Sequence, residues 1–136
     1  MRVFGGSISD GAESSLGEAV ADAYILEEGE DTFVVRSDAG WIVVLEFNRF
    51  RGGSSKRLAS LSEDGVAFSV GWTVELDAFI KHYAQGRPVV TTDPILLGVE
   101  PSDDEGLAWS EGYGLTASNW RENWRAAVFA IAESIT

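Results

Sequence analysis

The fold turns on residues 65–93, GVAFSVGWTVELDAFIKHYAQGRPVVTTD. In its first eight residues Val66, Phe68, Val70 and Trp72 alternate with Ala67, Ser69 and Gly71, the period of two that a β-strand imposes. The same period continues through TVELDAFIKHYA, residues 73–84. It sends Val74, Leu76, Ala78 and Ile80 to one face and Glu75, Asp77, Phe79, Lys81 and Tyr83 to the other. Gln85-Gly86 has the chemistry of a tight turn. In the strand that follows, Pro88 cannot donate to a ladder, so that strand belongs at a sheet edge.

Outward from this stretch the pattern extends on both sides. Upstream, DTFVVRS and WIVVLEF flank Asp38-Ala39-Gly40, a hairpin connection. Trp41, Val43, Leu45 and Phe47 alternate with Ile42 and Val44, so both faces of the second strand are apolar, which predicts a central strand covered on both sides. SSKRLASLS predicts a short helix capped by Ser54 or Ser55, with Leu58 and Leu61 on one side. Nearer the N-terminus, Ser15 and Glu18 form a capping box ahead of Leu16, Val20, Ala23 and Tyr24. Downstream, Asn119 and Glu122 form a second capping box. It opens a helix over about 119–135 whose stripe is Trp120, Trp124, Ala127 or Val128, Ile131 and Ile135. The reading is a single α+β domain over 1–136: an antiparallel meander of about five strands, packed by the C-terminal helix and one or two shorter ones.

Composition narrows the function. Twenty-two acids against ten Lys and Arg give a net charge of −12. Such a surface repels nucleic acid and anionic lipid and speeds encounter with cationic partners. One basic run, NRFRGGSSKR with Arg49, Arg51, Lys56 and Arg57, lacks P-loop spacing and reads as a solvated connection. Cysteine is absent, so disulfides and thiolate chemistry are excluded. No apolar run reaches the roughly 20 residues of a membrane span, and the N-terminus lacks the apolar core of a secretory signal, so a cytoplasmic protein is expected.

No catalytic motif stands out in the sequence. The one histidine, His82, shares the inward side of its strand with Ile80 and reads as a hydrogen-bonded structural residue. Glu46, in an otherwise apolar strand, reads as a paired carboxylate. No calcium-loop register occurs, so neither metal nor cofactor is expected. Residues 101–114, PSDDEGLAWSEGYG, have the composition of a recognition loop: Asp103, Asp104, Glu105 and Glu111 around Trp109 and Tyr113.

The segment WIVVLEFNRFRGG…KRLASLSEDGVAFSVGW resembles an uncharacterised family of small actinobacterial proteins. The shared positions are Trp41 to Glu46, Asn48, Leu61-Ser62 and Ser69-Val70-Gly71-Trp72, with Asp93-Pro94 closing the next hairpin. The likeness spans residues 32–95, and Thr73 stands where the family carries Asn. It implies the α+β fold and a bacterial or phage origin, and it carries over no functional residue.

Two functions are therefore expected in order. The first is an acidic, non-enzymatic binding protein, of the immunity, antitoxin or anti-defence kind, that docks on a basic protein through residues 103–113. The second is a small-molecule binder or hydrolase with a pocket between sheet and C-terminal helix, floored by Glu46, Trp72 and His82. A homodimer through the Phe79–Tyr83 face is a further alternative.

Overall fold

A computed structural model of the chain describes residues 33–38, 41–46, 52–99 and 104–135. The N-terminal helix expected from Ser15 and the turn at Ala39-Gly40 lie outside the described residues, as do Arg49 and Arg51 of the basic run. The chain divides into two compact units, Met1–Ser54 and Ser55–Thr136.

In the first unit, β1 (Phe33–Asp38) pairs antiparallel with β2 (Trp41–Glu46), with Asp38 opposite Trp41 and Phe33 opposite Glu46. This is the expected hairpin. It is not the expected covered central strand: among the described residues β2 pairs only with β1, and Ile42 is 71% exposed, with Val43 and Val44 also at the surface. Among the described residues the strands do not form one five-stranded meander. They fall into this two-stranded ribbon and a separate three-stranded sheet.

The second unit is built on that sheet. Its strands β3 (Val66–Trp72), β4 (Ala78–Ala84) and β5 (Arg87–Thr92) run antiparallel in sequence order. Gln85 and Gly86 both have positive φ, 51° and 75°, and lie between the paired residues Ala84 and Arg87. That is the two-residue connection whose twist suits a hairpin. Pro88 sits on edge strand β5, and a register shift between His82 and Tyr83 absorbs the extra residue there.

Helices cover both faces of the sheet. On one, α1 (Ser55–Leu61) packs Leu58 against Ala67 and Tyr83, which face each other across β3 and β4. On the other, Ile80 joins Leu97 with Trp120, Ala127, Val128 and Ile131 of the C-terminal helix, and Phe68 and Val70 lie against them. Consecutive residues Ala67 and Phe68 therefore serve opposite cores, as period two requires.

Beyond β5, Asp93 Oδ1 accepts from Ile95 N at 2.8 Å and the chain forms a 3-10 turn, Leu96–Gly98. Helix α2 (Asp104–Glu111) and helix α3 (Ala117–Ile135) follow. The α3 stripe is the expected one, but the helix starts earlier. Thr116 is its cap, with Asn119 Oδ1 accepting from both Thr116 N (2.8 Å) and Thr116 Oγ1 (2.9 Å). Glu122 plays no part in that box and accepts from Ser118 Oγ instead. At Asn123 the backbone leaves the helix (φ −160°, ψ 84°), and Asn123 Oδ1 accepts from Ala126 N to cap the second segment.

The stretch between β3 and β4 departs most from the sequence reading. Residues 73–77 are not strand. They form a five-residue tip, so Val74 and Leu76 do not join Ile80 on the inner face.

Candidate functional site

Residues 104–111 are helical rather than a loop, and this decides where the aromatic side chains go. Acids crowd the start of α2, where the free N–H groups and helix dipole favour negative charge. Its other end is a Schellman motif. Gly114 has φ 77° and donates to Glu111 O at 2.9 Å, while Leu115 N donates to Ser110 O at 3.2 Å. Acids at the start and a glycine beyond the end are a legible helix signature, and it was the carboxylate count that disguised it.

The helix turns Trp109 inward. Its Nε1–H donates to His82 Nδ1 at 3.3 Å, and its ring lies 6.0 Å from the imidazole and 5.5 Å from Tyr113. The Phe68 ring also meets His82 edge-on, at 6.3 Å. Both Trp109 and Tyr113 pack against the main core cluster. An indole N–H can only donate, so Nδ1 carries the lone pair and the neutral ring keeps its proton on Nε2. Nε2 is buried and has no hydrogen-bond partner.

His82 is only 7% exposed, and its burial pushes its pKa below the ordinary value of 6.5. A proton added to Nδ1 would also remove the acceptor that Trp109 needs. The fold therefore favours the neutral ring: its contribution is complete above pH 6.5 and declines as pH falls toward the lower folded-state pKa. His82→Asn keeps an acceptor near the Nδ1 position and removes the titration. Thermal melts at about pH 7.5 and about 5.5 should show a larger loss for the natural chain than for His82→Asn. Parallel losses would mean that His82 does not titrate through folding.

The remaining candidate residues are dispersed. Glu105 and Glu111 are exposed. Asp104 is the first residue of α2, and Asp103 lies outside the described residues. Trp72 meets Trp124 edge-on at 6.0 Å, and Arg125 stacks on Trp124 with its guanidinium carbon 4.6 Å from the ring. Glu46 belongs to the first unit, where Oε2 accepts from Gly52 N at 2.8 Å. The layer between sheet and α3 is filled by Ile80, Leu97, Val128 and Ile131, all essentially fully buried. A depression of about 530 Å³ lies elsewhere, at the open end of the β3–β4 pair, lined by Glu63, Asp64, Gly65, Val66, Ala84 and Gln85. The Phe79–Tyr83 face is divided, with Tyr83 covered by α1 and Lys81 Nζ 5.1 Å above the Phe79 ring.

Among the described residues, no three His, Asp or Glu side chains converge as metal ligands, and no helix is long and apolar enough to cross a membrane. No family model, curated protein or solved structure matches the chain. Val74 and Leu76 are surface residues that the sequence disguises. Their alternation with Glu75 and Asp77 mimics a strand, and the contrary signal was a Thr and an Asp bracketing the run.

Proposed function

We propose that the chain is a non-enzymatic acidic protein that docks on a basic protein, in the manner of an immunity protein, an antitoxin or an inhibitor of a defence protein, and that it works in the cytoplasm. The observation that carries this reading is where the carboxylates lie. Of those with described side chains none is buried. Only Glu46 and Asp93 are half-buried, each accepting a backbone N–H, and the others face water. Exposed carboxylates on a chain of net charge −12 give a long-range field for a cationic partner and a barrier to nucleic acid.

The geometry of His82 supports the same choice over a hydrolase. One ring nitrogen is occupied by Trp109 and the other is enclosed, so neither reaches a solute to move a proton. The resemblance over residues 32–95 adds a bacterial or phage setting to the proposal.

Immobilised chain exposed to native lysate should retain basic proteins at low salt and release them as ionic strength shortens the Debye length from about 10 Å toward about 3 Å. Retention of nothing basic, or of proteins indifferent to salt, would overturn the reading.

A further inference from the structure

The β3–β4 hairpin ends in a tip, Thr73–Asp77, that holds two aliphatic side chains in water. Val74 is 100% exposed and Leu76 63%, and Trp72 at the foot of the tip is 41% exposed. Apolar residues scattered singly over a surface need no explanation, but two so exposed within one five-residue tip call for one.

The tip is tied down. Thr73 N donates to Asp77 O at 2.9 Å and Leu76 N to Thr73 O at 3.3 Å. Thr73 Oγ1 accepts from both Glu75 N and Asp77 N at 3.2 Å. These bonds engage the polar backbone within the loop while Val74 and Leu76 stay in water. Leu76 also has φ 68°, the left-handed region where glycine is at ease and a leucine is uncommon. A leucine that strains the backbone and then stays in solvent does nothing for the fold.

We infer that this tip is the docking element: Val74 and Leu76 enter an apolar pocket on a basic partner protein, and Glu75 and Asp77 pair with Lys and Arg at the pocket rim. The inference rests on the docking reading above and names its contact. Charge complementarity selects the occupant. Glu75 and Asp77 alternate with the aliphatics and both are exposed, which matches an apolar centre within a charged rim. Two copies would oppose like charges on chains of −12 each, so a second copy is disfavoured. The bonds of Thr73 already hold the tip's backbone, so binding needs little ordering of it.

The probe is the full chain carrying Val74→p-benzoylphenylalanine, irradiated in native lysate at low salt, beside matched chains labelled at Leu61 and Glu105. The expected result is an adduct at position 74 with a basic protein, blocked by excess natural chain but not by excess Val74→Ser/Leu76→Ser chain. That protein, identified and purified, should bind the double variant at least about ten-fold more weakly, the loss typical of one hot-spot truncation. Leu76→Gly should melt no lower than the natural chain yet bind more weakly, which separates recognition from folding. Basic adducts at position 61 or 105 but not at 74 would overturn the tip and leave the docking reading standing. No salt-sensitive basic adduct at any position would overturn both. A chain–chain adduct at position 74 would replace the partner with a second copy.

Discussion

Trp120→Ala is expected to destabilise the second unit by about 3–5 kcal/mol, the range for removing a buried aromatic side chain. Trp120 is 2% exposed and lies among Ile80, Leu97, Val128 and Ile131. Its Nε1–H also donates to Ser110 Oγ at 3.0 Å, and Ser110, itself fully buried, donates to Leu107 O at 2.9 Å. The indole thus fills the main core and ties α3 to α2. Trp120→Phe should retain most of the volume and lose about 1 kcal/mol for the missing donor. Ser110→Ala leaves the indole N–H buried without an acceptor and should cost about 1–3 kcal/mol. In the double variant the two losses should not add, because one bond is counted twice. Urea unfolding measures all four chains. A Trp120→Ala loss below about 1 kcal/mol would mean that the indole does not sit in the core as described.

Gly98→Ala should cost about 1–3 kcal/mol by overpacking, for a reason that no helix or strand propensity contains. A Cβ at Gly98 would come within 2.5 Å of Arg121 Cγ, 2.7 Å of Arg121 N and 3.0 Å of Arg121 Cα. The Arg121 side chain can swing aside, but its backbone N belongs to α3 and cannot move without the helix. The 3-10 turn also carries fully buried Leu97, so the turn is pinned from beneath. The expected signature is a fall in Tm of about 4–8 °C for each kcal/mol lost in a unit of this size. Gly65→Ala is the control. Nothing lies within 4 Å of its added Cβ, and a change within about 0.5 kcal/mol is expected. Equal effects at the two glycines would remove the close approach as the cause.

These residues show how unevenly the molecule can be read in advance. Trp120, Val128 and Ile131 announce themselves by spacing alone, and the structure buries all three. Nothing in the sequence around Gly98 announces Arg121, twenty-three positions away, because a close backbone approach is a property of two segments at once. The same contrast holds at the candidate site. His82 was legible as an inward residue from its strand, but its partner was not, since Trp109 reaches it only because residues 104–111 coil into a helix.

Local order came from the chain itself. Period two specified β3 and the inner face of β4, Gln85-Gly86 specified the hairpin, Pro88 specified an edge, and the acid surplus specified the sign of the surface field. Tertiary structure alone decided that the described strands divide into a pair and a sheet of three, that Trp109 faces His82, and that Val74 and Leu76 stand in water. Alternation fixes only which side chains share a face. Whether that face is covered depends on segments far along the chain, and the free energy of covering it is not written in the strand.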